Sequence, residues 1–300
     1  MYPLSYIEPV FRPPSEWKSL ILQVTNGCSW NRCTFCEMYT AENKKFKPKK
    51  IELIEQEVLS VVESGLPVGR VFLADGDALM LPFKRLKEIL LLIKKHLPTV
   101  TRVSSYCLPR NLSNKTVEQL TELRELGLTL VYVGCESGDD EVLKLIEKGE
   151  TYASSLMALN KIKQAGIKSS VMILNGLGGP ELSEQHAINS ARLMNEAQPD
   201  YLSTLVVSFP LGEERFAKSF EESQYQPFRL LNQVELFNEM KILLSELELT
   251  KTIFRSDHAS NYLVLKGILG QDKTKLLNLV HEAIERPNNV ILRQEWQRGL

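Results

Sequence analysis

The sequence has little net charge and no long apolar run. The formal net charge is −1 over 300 residues, which removes the electrostatic argument for nucleic acid or an anionic membrane as a partner. No apolar run approaches the roughly 20 residues that a membrane-spanning helix needs. Residues 1–14 have neither the basic start nor the apolar core of a signal peptide. We therefore expect a cytoplasmic protein with no membrane partner and with nucleic acid disfavoured as a ligand.

Cysteine is scarce, and its placement is uneven. There are five cysteines, an odd number that disfavours a secreted disulfide framework. None follows Cys135, so cysteines of the C-terminal part cannot build a second metal centre. Cys28, Cys33 and Cys36, in contrast, lie within nine residues of one another. They are the most informative feature of the chain.

These three cysteines follow the apolar run 20–24, which predicts a strand, and so they occupy the loop at its C-terminal end. An iron–sulfur cube held by three cysteines leaves one iron open to a small molecule, whereas structural metal sites usually close their coordination shell. The same residues are also compatible with a structural zinc site completed from a distance, with redox or disulfide cysteines, or with inert buried thiols. The candidates for a distant ligand are His96, His186, His258, His281, Cys107 and Cys135.

Strand-like apolar runs alternate with amphipathic helical segments along most of the chain. The predicted strands are 20–24, 71–73, 102–106, 128–133, 170–174 and 201–209. The predicted helices are 51–64, 83–96, 115–126, 140–146, 152–164, 184–196 and 234–247. The strands are continuously apolar, as expected when helices cover a parallel sheet. Six β/α units in series predict an α/β barrel or a doubly wound sheet, and both bind ligands at the C-terminal ends of their strands.

Single residues indicate where some of the helices end. Gly127 and Gly166 fall just beyond predicted helices, where a glycine often adopts a left-handed conformation. Ser183 is placed to cap the helix 184–196, and His186, at the start of that helix, is expected at the surface. Cys107 and Cys135 are expected in the core, because cysteine is among the residue types most often buried.

Glycines and polar residues follow five of the six predicted strands. Besides the cysteine loop they are Ala74-Asp75-Gly76-Asp77, Gly134-Cys135-Glu136-Ser137-Gly138, the run 175–180 and Pro210-Leu211-Gly212. Any one of these segments alone is ordinary turn chemistry. Because they recur in phase with the strands, they predict a ligand site along one edge of the sheet.

These motifs resemble the radical S-adenosylmethionine (radical SAM) superfamily. More narrowly, they are similar to the branch of cobalamin-associated oxidoreductases, magnesium-protoporphyrin cyclases and tRNA methylthiotransferases. The resemblance spans residues 20–209 and implies a partial (β/α)6 TIM-like barrel with a C-terminal extension. The sequence departs from the pattern in two places: four residues rather than three separate Cys28 and Cys33, and Asp75-Gly76-Asp77 replaces a Gly-Gly-Glu motif. We expect no accessory cobalamin-binding domain.

The resemblance implies two cofactors, a 4Fe-4S cluster on Cys28, Cys33 and Cys36 and S-adenosyl-L-methionine. It implies reductive cleavage to a 5′-deoxyadenosyl radical that acts on an unknown small-molecule or peptide substrate, with flavodoxin or ferredoxin as electron donor. The residues that correspond to cofactor-binding positions are Phe35, Asp75, Gly76, Asp77, Ser104, Glu136 and Gly176. Cys107 and Cys135 are not expected as ligands.

Several of these assignments have structural alternatives. Asp77 is equally a solvated loop carboxylate, and Glu136 is equally half of a structural ion pair. Ser104 could satisfy a neighbouring backbone group, and Gly176 could serve an ordinary turn. For the whole chain, the alternative function is a zinc or iron–sulfur binding module without catalysis.

The chain divides into an N-terminal extension (1–18), the partial barrel (19–249) and a C-terminal capping segment (250–300). The run 252–262 is the most polar stretch outside the predicted barrel. We expect it to cover the strand ends and to present Arg255 as an anion binder and His258 as an acid/base or hydrogen-bonding group to the substrate. The alternative is a surface turn that leads into the last helix.

Overall fold

The computed structural model describes residues 2–221, 223–225 and 228–299, and it contains two compact α/β units. The first unit comprises Met1–Asn31, Cys36–Val133 and Asn160–Ser169. The second comprises Arg32–Phe35, Gly134–Leu159 and Ser170–Leu300. Four residues of the cysteine loop, Cys33 among them, therefore belong to the second unit. No helix within the described ranges is both long and apolar enough to cross a membrane.

The first unit is a parallel sheet with helices in its crossovers. In chain order its elements are β1 (Leu20–Gln23), β2 (Thr25–Asn26), β3 (Lys47–Pro48), α1 (Ile51–Glu63), β4 (Arg70–Ala74), α2 (Phe83–His96), β5 (Arg102–Cys107), α3 (Val117–Glu125) and β6 (Leu128–Glu136), whose last three residues lie in the second unit. The order across the sheet is β1-β4-β5-β6, all parallel. β2 and β3 form a separate antiparallel ladder beside the cysteine loop.

The second unit contains the rest of the elements. They are α4 (Asp140–Leu145), α5 (Tyr152–Gln164), β7 (Lys168–Asn175), α6 (Gly179–Ala197), β8 (Tyr201–Val206), α7 (Glu214–Lys218), α8 (Gln233–Glu246), β9 (Ile253–Ser256), β10 (Leu265–Ile268) and α9 (Lys273–Glu285), with the end of α5 and the start of β7 in the first unit. β7, β8 and β9 run parallel, and β10 pairs antiparallel with β9. α6 and α9 both pack against α8.

Apolar residues of the strands and of the inner helix faces form the core. Leu20 and Leu22 of β1, with Phe72 and Leu73 of β4, are completely buried. Burial of both strand faces is what a parallel sheet covered by helices requires, and it explains why the strands appear in the sequence as unbroken apolar runs.

The predicted strand–helix alternation is present, with differences at its edges. Gly127 (φ 113°) and Gly166 (φ 71°) have the predicted left-handed conformation. α6, however, begins at Gly179 rather than at residue 184, because Pro180 suits the first helical turn. Ser183 is therefore no cap; its hydroxyl donates to Glu239 Oε2 at 2.6 Å. The segment 250–300 adds helix α9 and two strands, β9 and β10. The sequence pattern did not predict these two strands.

Candidate functional site

The cysteine loop starts directly after the β2 strand. All five cysteines are thiols rather than disulfides; Cys28 and Cys36 are half-buried and Cys33 is buried. Gly27, just before the first cysteine, has φ 67°, and a Cβ there would lie 2.0 Å from the Lys44 carbonyl oxygen. Only glycine fits this close approach. Among the described residues, no three His, Cys, Asp or Glu side chains are already arranged to hold a metal ion.

Asp77, which follows β4, is joined to the residue after the first cysteine. Its Oδ2 accepts hydrogen bonds from the Ser29 hydroxyl and from the Ser29 backbone N–H at 3.3 Å. The side chain is completely buried, and burial raises the pKa of its carboxyl group although the Ser29 hydrogen bonds oppose this. The alternative of a solvated loop carboxylate is therefore wrong: Asp77 is part of a buried contact between strand end and cysteine loop.

Asp75 forms a completely buried ion pair with Lys44. The Lys44 Nζ to Asp75 Oδ2 distance is 2.6 Å, and neither side chain is exposed. Lys44 Nζ also donates to the Ile7 carbonyl at 2.5 Å. Burial and the Asp75 carboxylate together raise the pKa of the Tyr39 hydroxyl well above its ordinary value. At Gly76 a Cβ would lie 2.4 Å from the Tyr39 ring, so the strand end packs directly on this tyrosine.

Ser104 lies in the middle of β5, not at its end. It is completely buried, and its hydroxyl lies 3.5 Å from the Val71 carbonyl of the neighbouring strand. This is the backbone-satisfying role that the sequence left open as the alternative.

Glu136 ends β6 in the second unit and has a left-handed backbone (φ 65°), which is uncommon outside glycine. Its Oε1 lies 3.0 Å from Lys148 Nζ, and both side chains are nearly buried. Burial is the largest single influence and would lower the pKa of Lys148, but the Glu136 charge and hydrogen bond, together with the charges of Cys33 and Cys135, raise it. Gly134 leaves room for this geometry, because a Cβ there would lie 2.4 Å from Glu136 Oε1. The ion-pair alternative for Glu136 is thus realised.

Phe35 packs against an apolar cluster of the second unit that includes Ile146, Phe216 and Phe220. The backbone N–H of Thr34 donates to the Ile146 carbonyl at 3.0 Å, which fixes this part of the cysteine loop to the end of α4. Lys148 Nζ lies 5.8 Å from the centroid of the Phe35 ring. A cation at that distance from an aromatic face is attracted by it.

Gly176 follows β7 with φ 84°, and its N–H donates to Glu239 Oε1 at 2.7 Å. Glu239, on α8, is 1% exposed and also accepts from Asn175 Nδ2 at 3.2 Å. The sequence analysis missed Glu239. A signal was available, because Glu239 lies three residues after Leu236 and four before Leu243, on the buried face of α8.

Three further residues singled out in the sequence, Cys107, Cys135 and His186, lie in the interior. Cys107 and Cys135 are buried, as predicted, and burial raises the pKa of the Cys135 thiol to about 12. His186 was predicted at the surface, and this is wrong: it is 1% exposed, with its Nδ1 2.7 Å from the Ser137 hydroxyl. His186 lies one turn from Leu182 and one turn from Ser190, on the buried face of α6.

Arg255 and His258 belong to the C-terminal part of the second unit. Arg255 lies on β9 opposite Ser203 and Lys266, with an exposed side chain. His258 follows the C-terminal end of β9; its Nδ1 lies 3.0 Å from the Ser260 hydroxyl. Burial and then the Arg293 charge lower the pKa of His258, so its imidazole favours the neutral form.

Several buried polar atoms at the strand ends have no hydrogen-bond partner among the described residues. In the first unit they include Thr25 Oγ1, Asp75 Oδ1 and Asp77 Oδ1; in the second they include Asn175 Oδ1, Thr204 Oγ1 and Ser208 Oγ. Buried polar atoms normally have partners. In the first unit, Asp77 also contacts Ser29 of the cysteine loop, and carboxylate oxygens at this strand end fit a ligand with an ammonium group.

The family model for the radical SAM superfamily matches residues 22–194, more than half of the chain. The chain is 22% identical over 173 residues to a tRNA uridine(34) acetyltransferase of Methanocaldococcus infernus, covering 56% of this chain and 31% of that protein. It is 23% identical over 251 residues to a putative methylthiotransferase of Methanocaldococcus jannaschii, covering 74% and 54% respectively. The matched part of the chain thus spans 31% and 54% of the length of these two relatives.

Among solved structures, coproporphyrinogen III oxidase from Escherichia coli, described as a radical SAM enzyme, superposes with a TM-score of 0.58 at 18% identity, over 76% of this chain and 52% of that one. At this identity the likeness concerns the fold alone. It confirms the predicted fold class, an α/β partial (β/α)6 TIM-like barrel.

Proposed function

The chain belongs to the radical SAM superfamily and is an enzyme of that type, and on this premise we propose that Cys28, Cys33 and Cys36 hold a 4Fe-4S cluster. The proposal includes reductive cleavage of S-adenosyl-L-methionine and action of the resulting 5′-deoxyadenosyl radical on a small-molecule or peptide substrate. The observation that carries it is the family match across the loop after β2, where three thiols lie within nine residues. When bound, the cluster and S-adenosylmethionine supply the one-electron chemistry.

The residues after β4 would bind the methionyl ammonium. Asp75 and Asp77 are buried carboxylates, and their Oδ1 atoms make none of the close hydrogen bonds that hold the Oδ2 atoms. Lys44 and Ser29 hold the other oxygen of each carboxylate, so both groups are fixed in orientation before a ligand arrives. Preorganised acceptors lose little conformational freedom on binding.

In the second unit, Glu136 and Lys148 would act on the cluster ligand Cys33 and on the cofactor. Cys33 in its thiolate form contributes to the raised pKa of Lys148, after the larger effect of Glu136. The Lys148 ammonium therefore favours the anionic thiolate that cluster ligation requires. Glu136 holds this cation and would present its carboxylate to the ribose or the amino-acid moiety.

Phe35 and Gly176 would contact the adenine end of the cofactor. Phe35 is fixed by an apolar cluster, and the Gly176 backbone is held by Glu239. Arg255 and His258 would serve the substrate rather than the cofactor. Their alanine variants should therefore keep cofactor cleavage and lose turnover of the true substrate.

The first experiment is anaerobic reconstitution with iron and sulfide, followed by metal analysis and visible absorbance. We expect about four irons and four sulfides per chain, and their loss in Cys28→Ala, Cys33→Ala or Cys36→Ala. Cys107→Ala and Cys135→Ala are the matched controls and should keep full iron content. With dithionite and S-adenosylmethionine, the loaded protein should release 5′-deoxyadenosine and methionine, detected by mass spectrometry.

The alternative, a non-catalytic zinc or iron–sulfur module, predicts a different result. Stoichiometric zinc without visible absorbance, or a cluster that never yields 5′-deoxyadenosine, would replace the proposal with that module. Glu136→Ala should weaken S-adenosylmethionine binding with the cluster intact. Unchanged affinity by anaerobic calorimetry would leave Glu136 as a purely structural ion-pair partner.

A further inference from the structure

A lysine-rich segment in the first unit has no part in the chemistry described above. Residues 44–50 read Lys-Lys-Phe-Lys-Pro-Lys-Lys, five lysines in seven positions. In a chain with a formal net charge of −1, this is a strong local concentration of positive charge. We call residues 44–50 the lysine segment.

Two of the five lysines are neutralised within the unit. Lys44 is buried in its ion pair with Asp75, and Lys49 pairs with Glu57 at 2.7 Å. Lys45, Lys47 and Lys50 are exposed, and the structure gives them no ion pair with any described residue. Two exposed acids flank the segment, Glu42 two residues before it and Glu52 two residues after it. The three exposed lysines outnumber them, so the surface of the segment keeps a net positive charge.

The lysine segment is attached to the start of the cysteine loop. In the β2–β3 ladder Lys47 lies opposite Asn26, and Asn26 Nδ2 donates to the Lys45 carbonyl at 3.1 Å. Asn26 precedes Cys28 by two residues, a span of at most about 7 Å along the chain. Gly27 packs on the Lys44 carbonyl, so no loop movement can separate the segment from Asn26 without breaking these contacts.

We propose that the lysine segment is the docking surface for an acidic, low-potential one-electron donor protein that carries a flavin or an iron–sulfur centre. The inference rests on the proposed function, because a cluster on Cys28, Cys33 and Cys36 needs one electron for each cofactor cleavage. The donor is oxidised by one electron and the cluster is reduced by one; no proton or group is transferred between the two proteins.

Electrostatics explains why exposed lysines belong at this place. Uncompensated charges of one sign raise the encounter rate with a partner of the opposite sign by about 10- to 1,000-fold at low salt. The attraction extends about 10 Å at 0.1 M salt, and Lys47 pairs with Asn26, two residues before Cys28. A donor held there would bring its redox centre close to the first cysteine.

The test uses the reconstituted chain, a flavodoxin of negative net charge as probe, and the variant Lys45→Glu/Lys47→Glu. Binding of the flavodoxin, measured by calorimetry at about 50 mM salt, should weaken at least about tenfold in the variant, and the difference should vanish near 0.5 M salt. Cluster reduction by flavodoxin hydroquinone, followed by stopped flow, should slow by a similar factor. Reduction by dithionite, a small molecule that needs no docking surface, should be unchanged.

The matched control is Lys94→Glu/Lys95→Glu, which changes the net charge equally. These exposed lysines lie in the last turn of α2. That turn is at the opposite end of its β/α unit from the strand C-termini, because the helix runs back along the sheet. The control should bind flavodoxin like the wild type. The neutral variant Lys45→Gln/Lys47→Gln should give an intermediate loss, and circular dichroism will show that each variant is folded.

Three outcomes would overturn the docking surface. They are wild-type flavodoxin affinity in Lys45→Glu/Lys47→Glu, an equal loss in the Lys94→Glu/Lys95→Glu control, or a segment-dependent affinity for transfer RNA with none for flavodoxin. If the chain holds no cluster, dithionite will reduce nothing, and this result contradicts the proposed function rather than the docking surface. The calorimetric arm needs no cluster and decides on the surface by itself.

Discussion

At the scale of single residues, buried charges do most to define the candidate site. Lys44 and Asp75 are both completely buried, and Asp77 is buried against Ser29. A charge in a protein interior is tolerated only when it is paired and hydrogen-bonded. These pairs therefore hold the end of strand β4 in one arrangement, and removal of either partner should lower the free energy of unfolding.

We expect Lys44→Met to lower the free energy of unfolding by about 3–5 kcal/mol, because it leaves the Asp75 carboxylate buried without its cation. Urea denaturation measures this difference, and Lys45→Met, at the exposed neighbouring lysine, is the control with an expected change below about 0.5 kcal/mol. A loss under about 1 kcal/mol for Lys44→Met would mean that water reaches Asp75. Lys44→Met/Asp75→Asn should recover part of the stability, since it removes the stranded charge as well.

Glu16 provides a prediction of pH dependence. Its completely buried carboxylate accepts from Tyr132 Oη at 2.6 Å and from Arg102 Nη2 at 2.8 Å, and also from the Ser19 hydroxyl. Burial alone would raise its pKa, but the hydrogen bonds from Ser19 and Tyr132 and the Arg102 charge outweigh burial and lower it. The charged form is therefore preferred in the folded state.

Because the folded-state pKa of Glu16 is lowered, its contribution to stability is present above the unfolded-state pKa and lost as the pH falls through the folded-state pKa. Glu16→Gln should cost about 2 kcal/mol at neutral pH, and the gap to the wild type should narrow toward about pH 3. Urea denaturation of the wild type and of Glu16→Gln, at neutral pH and at about pH 3, measures this difference in stability. Glu52→Gln, at an exposed position, is the control. A stability difference between Glu16→Gln and the wild type that stays constant with pH would contradict a lowered pKa for Glu16.

At the scale of elements, helix α8 connects the end of β7 with the C-terminal part of the second unit. Glu239 holds the Gly176 N–H and the Ser183 hydroxyl, while the helix packs on α6 and α9. Its first turn is fixed by a capping box: Asn232 Oδ1 accepts from the Glu235 N–H at 3.0 Å, and Glu235 Oε2 accepts from the Asn232 N–H at 2.8 Å.

Loss of this cap should weaken the helix that holds Gly176. We expect Asn232→Ala to lower the free energy of unfolding by about 1 kcal/mol, whereas Asn238→Ala, at an exposed position inside the same helix, should be neutral or slightly stabilising. Chemical denaturation followed by circular dichroism distinguishes the two. An equal effect of both substitutions would show that the capping box contributes little.

At the scale of the whole molecule, the proposed cluster couples metal loading to folding. A ligand that binds only the native state adds to its stability, and a site made of thiolates is absent from the unfolded chain. Anaerobically reconstituted protein should therefore unfold at a higher temperature than the metal-free chain. Cys28→Ala should lose this difference, and Cys107→Ala should keep it. Identical transitions with and without iron and sulfide would argue against a native-state cluster.

Much of the fold followed from the sequence by itself. Strands buried on both faces must be continuously apolar, and helices over them must be amphipathic, so six β/α units could be counted along the chain. The cysteine loop, the glycine-rich strand ends and the buried Cys107 and Cys135 were equally visible, because they depend on residue type and on position relative to a strand. The strands of 250–300 were not, since β9 and β10 are four residues each and too short to show a period.

Which charges are buried, and with which partner, was decided only by the tertiary structure. Lys44 and Asp75 are 31 residues apart, and Glu239 meets Gly176 across 63. No local pattern encodes such a pairing, because the free energy of a buried charge depends on what the fold places around it. The same holds for His186, which shares the buried face of α6 with Leu182 and Ser190, because the fold decides which face of a helix is covered. Sequence thus determined the elements and the type of chemistry, while three-dimensional packing determined which side chains are held ready for it.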